Sequence, residues 1–427
     1  MLSTLRNAWN VKDLRKRLIY TFIIILIYRI GNQIVIPGVI PERIAQLSQS
    51  GGTLFNFYDL MSGGAFSQMS IFAMGVYPYI NASIIMNLLT IAIPKLEQLS
   101  KEGEEGRKKI NNFTRYGGIV LAAIQAFGTY AIASNQNALT SSSKLTLFVI
   151  ILTLTTASTL LVWMGEQITN RGIGNGVSLI IFVNIVSRFP NTLMQIGAQK
   201  SAGKVNLLDL ALFAIVGVAL LLMVIVVSMS ERRIPVQYAG KTVGNKTFKG
   251  QTTHIPINLN SSGVIAIIFA MSVMQFPEVI AKFMNPTSAY VRFVTASPWS
   301  PFKSDNLIYI IIYFILILFF TWFYTGVTFK PDEMAENMHK SAGFIPGIRP
   351  GQPTARYIEN ILTKSSVLGG IFAAIVAIVP MLAQNYSSFK GIHFGGTTLL
   401  IMVGVCIEFI RQIESQLVMR NYQGFLK

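Results

Sequence analysis

A chain of 427 residues that is 52% hydrophobic and only 12% charged has too little polar side chain to cover a soluble globule of its size, which leaves a polytopic membrane protein. Its net charge of +17 does not point to nucleic acid, because basic residues of membrane proteins gather in cytoplasmic loops, where they set topology and meet anionic lipids or acidic partners. The single cysteine, Cys406, lies in an apolar run and excludes an intrachain disulfide or a cysteine-based metal cluster.

Arg6, Lys12, Arg15, Lys16 and Arg17 precede an apolar run over 18–35, which reads as an uncleaved first span with a cytoplasmic N-terminus. Arg29, toward its far end, reads as a snorkelling side chain. The stretch 57–94 then organises the chain. Its first part carries Gly63, Gly64, Ala65, Ser67 and Ser70, too short and too rich in small polar residues for the ~20 apolar residues of a lipid-facing span. Gly75 breaks the run, Pro78 suits a first helical turn, and a second helix continues until Pro94. The first part is therefore expected to be a half-inserted helix, about 57–75. Unpaired backbone at membrane depth costs several kcal/mol per group in lipid, so such a segment survives only against protein or beside a water-filled cavity.

A charged loop is expected over 95–115, followed by spans near 116–134, 145–164 and 174–187. A polar connection over 188–206 leads to spans near 207–229, 262–276, 307–327, 365–382 and 395–413, with a cytoplasmic tail over 414–427. Alternating the loops puts about 25 of the 35 Lys and Arg residues inside and about 10 outside, so both termini are cytoplasmic. The expected fold class is an all-α polytopic membrane protein. Its ten transmembrane helices form two inverted five-helix halves, 1–187 and 207–413, with a re-entrant plug helix. The long inside loops, about 231–260 and 329–364, lack the apolar content of an independent domain and read as basic docking projections. The second carries rigid turns around Arg349.

Several motifs fail on spacing. Gly240, Lys241 and Thr242 end like a phosphate-binding loop, but Pro235 stands where its first glycine is required. Gly172, Gly174 and Gly176 follow a span rather than a strand and read as a tight turn. His254, His339 and His393 are too scattered for a metal site, and no cofactor is expected.

The run from Gly63 to Gly75 with Pro78, Tyr79 and Ile80 resembles the SecY/Sec61-alpha family of protein-conducting channels. So do Gly165-Glu-Gln-Ile-Thr with Arg171 to Gly176, Gln251 to Pro256, Gly343 to Gly351, and Gly395 to Ile401. Ala266 departs from the family, which commonly has proline there. The resemblance implies a cytoplasmic-membrane channel with a plug, a mid-membrane ring of Ile80, Ile84, Ile181, Ile185, Ile268 and Ile401, and a lateral seam. Within each of the pairs Ile80/Ile84 and Ile181/Ile185 the residues lie one turn apart and share a face. The seam is placed between the helix after Pro78, the third span with Gln125 and the seventh with Ser272, Gln275 and Phe276. The implied partners are SecE and SecG, the SecA ATPase, the ribosome, signal sequences and nascent polypeptides, and anionic lipids. Docking is assigned to Arg349 and to Lys241, Lys246 and Lys249.

A secondary transporter is the rival class, since it also uses broken helices and inverted halves. It needs polar or charged ligands at mid-membrane, whereas this sequence puts apolar side chains at its break and charges in its loops. An intramembrane enzyme would need a nucleophile or metal constellation, and none is present in the sequence. The chain is expected to be a passive channel whose energy comes from a partner.

Overall fold

The computed structural model describes residues 6, 8–44, 59, 61–135, 137–141, 143–201, 207–238, 241–243, 246–248, 252–259, 263–284, 288–297, 300–302, 306–386 and 396–425. The chain is mostly helical. In order, the helices are α1 (Lys12–Gly31), α2 (Tyr77–Ala92), α3 (Pro94–Lys101), α4 (Glu104–Asn135), α5 (Lys144–Arg171), α6 (Gly176–Ser201) and α7 (Leu207–Met229). After a strand region come α8 (Gly263–Phe283), α9 (Leu307–Thr328), α10 (Pro331–Lys340), α11 (Gln352–Tyr386) and α12 (Gly396–Phe425). Among the described residues six helical stretches are long and apolar enough to cross a membrane, and a seventh if α2 and α3, bent by 100°, form one span. Two shorter apolar helices, Phe213–Met229 and Val264–Pro277, lie within α7 and α8.

The side-chain distribution is that of helices in lipid. In α9 the buried positions are Tyr309, Tyr313, Ile317, Thr321 and Thr325, every fourth residue. Leu307, Ile311, Ile315, Phe319 and Trp322 are exposed. Thr321 and Thr325 satisfy their hydroxyls on the carbonyls of Ile317 and Thr321, at 2.7 Å each. A helix that turns its hydroxyls inward and its largest apolar groups outward has lipid as its outer solvent. The same holds for α1, where Leu14, Thr21, Ile24 and Tyr28 are buried while Phe22, Ile23, Leu26, Ile27 and Ile30 are exposed.

Several elements differ from the sequence expectation. The charged stretch over 95–115 is not a loop: α3 and the start of α4 occupy most of it, with Gly103 (φ +82°) at the bend between them. The connection over 188–206 is largely helical, because α6 runs through Pro190 to Ser201. Similarly, α12 continues through the expected tail to Phe425. The half-inserted segment is not a regular helix in its described part. Asp59 and Met61 are helical, but 62–76 is a succession of turns with Gly63, Gly64, Met69 and Gly75 at positive φ. Small residues permit turns whose local backbone bonds, such as Gly64 to Asp59, Ser70 to Ala65 and Gly75 to Phe72, replace the regular helical ladder and are supplemented by tertiary bonds. Ala266 sits inside α8, which runs unbroken from Gly263.

The chain is not all-α either. Strands β1 (Glu231–Tyr238), β4 (Thr252–Asn258) and β5 (Gly343–Phe344) build the sheet of a small loop module, and β2 (Lys241–Val243) and β3 (Lys246–Phe248) form a separate two-stranded sheet. β1 pairs antiparallel with β4 from Glu231↔Asn258 to Gln237↔Thr252, and β5 joins the other edge of β1 at Gln237 and Tyr238. The two loops are thus not separate projections. Ile234, Val236 and Ile257 of the sheet share a core with Met338, Ile345, Ile358 and Leu362. Neither loop holds enough apolar residues alone, and together they close a core against α10 and the start of α11.

Candidate functional site

The broken segment is held in place by polar groups from the helices around it. The Asn184 side chain on α6 is fully buried, donates to the Met61 carbonyl at 2.7 Å and accepts from the Tyr28 hydroxyl at 2.6 Å. Gly63, at φ +66°, lies so close that a Cβ there would fall 2.8 Å from Asn184 Oδ1. Ser158 on α5 donates to the Gly75 carbonyl at 3.0 Å. Arg188, one turn beyond Asn184, forms an ion pair with Asp59, whose other oxygen accepts from the Ser67 amide at 2.8 Å. Ser67 Oγ donates to the Gly64 carbonyl at 2.9 Å. Backbone bonds from Ile36 to Met69 and from Ile71 to Ile34, both 2.9 Å, tie the segment to the chain after α1. Ala65 and Ser70 are buried, and the Ser70 hydroxyl has no partner among the described residues.

Above this segment a cavity of about 750 Å³ opens between the helices. Its apolar end is made by Ile80 and Ile84 on α2, Ile181 on α6, Ile268 on α8 and Ile401 on α12. Five of the six ring residues are thereby brought together from four helices that are distant in sequence. Ile185 is buried in the same apolar cluster as Ile181, Met61, Phe72 and Ile401, yet does not line the cavity. The opposite end is polar, with Asn87, Asn111, Asn170 and Asn175 beside Arg115 and Glu166. Arg115 Nη2 donates to both Glu166 oxygens, at 2.7 and 2.6 Å. Arg115 and Glu166 are therefore spent on each other, the third charged residue of the lining, Lys108, pairs with Glu104, and the apolar end can exclude ions by dewetting.

The seam residues lie on helices that touch. α4 packs against α2 along its length and meets α8. Gln275 is buried, and neither of its amide atoms has a partner among the described residues; the same is true of Gln125 Oε1. Ser272 is half-buried, while Phe276 is exposed and belongs to the outer face of α8.

The docking residues separate. Arg349 is exposed between Gly347 (φ +82°) and Gly351 (φ +96°), and its carbonyl accepts from Thr354 Oγ1 at 2.8 Å. Ile345 and Ile348 anchor this turn to the core of the small module. Lys241 and Lys246 lie on the β2–β3 hairpin, and Lys249 lies outside the described residues. His254 and His339 have no partners for a metal site: no group of three or more His, Cys, Asp or Glu able to hold an ion is found among the described residues.

Sequence reasoning missed the groups that hold the segment: Tyr28, Asp59, Ser158, Asn184 and Arg188. Tyr28 and Asn184 are 156 residues apart, so no local pattern joins them.

A family model described as SecY matches residues 70–410. The chain is 40% identical over 441 residues, covering 100% of both proteins, to the protein translocase subunit SecY of Streptomyces galbus. Its fold is similar to that described in "The structure of a protein conducting channel", with a TM-score of 0.66, 18% identity, and coverage of 94% of this chain and 92% of that one. It is similar also to Sec61 in the canine ribosome-channel complex from the endoplasmic reticulum, with a TM-score of 0.61, 19% identity and the same coverage.

Proposed function

The chain belongs to the SecY family of protein translocase subunits, and from that premise we propose how this translocation channel works. It is a multi-pass membrane protein that serves protein translocation. Unfolded secretory polypeptides pass through the cavity between Ile80, Ile84, Ile181, Ile268 and Ile401, with Ile185 one turn deeper toward the plug. The observation that carries this is the convergence of isoleucines from four helices at the apolar end of one cavity. Deformable apolar side chains close around a chain without binding it, and when empty they resist ions by dewetting.

The segment over 57–75 is the plug, with Gly63, Gly64, Ala65, Ser67 and Ser70 as its turn-forming residues. The seam between α2, α4 and α8, with Gln125, Ser272, Gln275 and Phe276, opens sideways to release membrane segments into lipid. The ten spans fall into inverted halves, 1–187 and 207–413, around the hinge at 188–206, in the cytoplasmic membrane with both termini cytoplasmic and the tail over 414–427 inside. The chain is not an enzyme: work comes from SecA or the ribosome at the cytoplasmic module through Arg349, with Lys241, Lys246 and Lys249 steering. SecE and SecG complete the complex, and anionic lipids meet its basic cytoplasmic face. The family membership and the exposed, turn-fixed Arg349 support these assignments.

Deleting 63–70 tests the reading. Vesicles with the deletion should leak ions at rest while retaining some export, and unchanged resting conductance would remove the plug from the account.

A further inference from the structure

The cavity has two unlike walls. Among the described residues, the part contributed by α8 and α12 is wholly apolar: Val264, Ile265, Ile268, Phe269, Ile401 and Val405. The facing part, from residues 79–181, carries every polar and charged group of the lining, and Glu166 is its one acid. Helix spacing gathers these groups. Asn111, Asn112 and Arg115 recur at i, i+1 and i+4 on α4, and Glu166, Thr169 and Asn170 at i, i+3 and i+4 on α5, so each set shares a face. The pair Arg115–Glu166 lies close to the apolar end: a Cβ on Gly118 would fall 3.5 Å from the Tyr79 Cα, and Arg115 stands three residues earlier on α4, a rise of about 4.5 Å. We propose that Arg115 and Glu166 together determine specificity by cancelling charge: the pair admits chains of either sign, and a channel left with one member discriminates against segments of that member's sign. This rests on the reading above that the polypeptide passes through this cavity.

A half-exposed ion pair adds little to stability, and α4 and α5 already pack against each other, so a brace is a weak reason for two charges at this place. Their electrical effect is larger. A charge in a cleft with low-dielectric walls focuses its field on whatever enters, and the apolar wall opposite offers it neither a counter-charge nor a hydrogen bond. With Arg115 Nη2 bonded to both Glu166 oxygens, the pair presents no net charge to the lumen. Lys108 lies two turns earlier on α4 and meets Glu104 at 3.4 Å, both side chains largely exposed, where salt screens them. Without Glu166, Arg115 becomes a lone cation within about one helical turn of Tyr79 and Ile80; without Arg115, Glu166 becomes a lone anion there. The amides of Asn111, Asn112 and Asn170 are neutral and can hydrogen-bond the backbone of any chain, so they favour neither sign.

The test uses vesicles containing the full-length chain with its co-purifying subunits, and one secretory protein carrying in its mature part a short lysine-rich, glutamate-rich or asparagine-rich segment. Export of the asparagine-rich form is the reference for each channel, so poor folding or insertion of a variant cancels from the ratio. Relative to wild type, Glu166→Gln should lower the lysine ratio about fivefold, the equivalent of ~1 kcal/mol between like charges about 4 Å apart in water, and Arg115→Gln should lower the glutamate ratio instead. The double variant Arg115→Gln/Glu166→Gln should bring both ratios back to wild-type values. Equal slowing of all three forms by each single variant would make the pair a brace and overturn the proposal, as would a double variant that still discriminates by sign. If the single variants ignore sign while a photoreactive residue at Ile84 captures the chain in transit, the passage reading stands and the charge filter falls. If capture fails as well, both fall.

Discussion

The plug segment and the seam proposed above both bury polar groups, and they differ in how many of those groups find partners. Around the proposed plug, Asn184, Tyr28, Ser158 and Asp59 are paired and Arg188 meets Asp59 through Nη2, while Arg188 Nε and the Ser70 hydroxyl are buried with no partner among the described residues. At the proposed seam, both amide atoms of the buried Gln275 and Oε1 of the half-buried Gln125 have no partner among the described residues. A satisfied network resists change because breaking any bond strands its partner; an unsatisfied buried amide costs about 1–3 kcal/mol and is relieved by whatever gives it a partner. The proposed plug is therefore held mainly by paired groups, and the proposed seam carries an amide, Gln275, that gains from any partner.

The largest effect on export should come from a site outside both regions and so serves as their control. Arg349→Glu should abolish SecA-driven export, and Arg349→Lys should impair it more than Lys241→Gln, because lysine lacks the planar donor fork presented by the glycine-flanked turn. ATP-dependent translocation would check this, and resting leak and signal threshold should stay at wild-type values. Next comes Gly63→Val, which forces a side chain into Asn184 at a left-handed φ and should raise resting leak strongly. Leak measured as vesicle ion flux decides it.

Gln275→Leu should act oppositely. It removes both unpartnered amide atoms from a buried position, stabilises the closed seam by about 1–3 kcal/mol, and raises the hydrophobicity a signal sequence needs. Gln125→Leu should move the threshold the same way but less, since only its Oε1 is buried without a partner. Export assays with signals of graded leucine content would show both shifts, and an eased threshold in either variant would break the contrast between seal and seam.

Much of this was legible in local sequence. Gly75 at φ +55° and Pro78 in the first turn of α2 mark the break where glycine and proline chemistry puts it. The exposed turn at Arg349 follows from its flanking glycines and prolines, and helix spacing alone puts Ile80 beside Ile84. Bringing Ile268 and Ile401 to the same cavity required the family resemblance, because isoleucine on a membrane helix is ordinarily a lipid or core residue. What stayed illegible is long-range pairing. β1 and β5 meet at Gln237 and Phe344, and no periodicity within either loop signals a strand partner a whole helix hairpin away. The Asp59–Arg188 pair is of the same kind: Arg188 sits in a stretch whose composition reads as a connection, and its partner appears only when Asp59 is folded against it.

The most direct test of the central claim, that the polypeptide passes through the isoleucine end of the cavity, is photo-crosslinking of a stalled export intermediate. A photoreactive residue at Ile84 or Ile401 should capture the chain in transit, and one at the lipid-facing Ile311 should not. Capture from Ile311 with none from Ile84 and Ile401 would contradict the account.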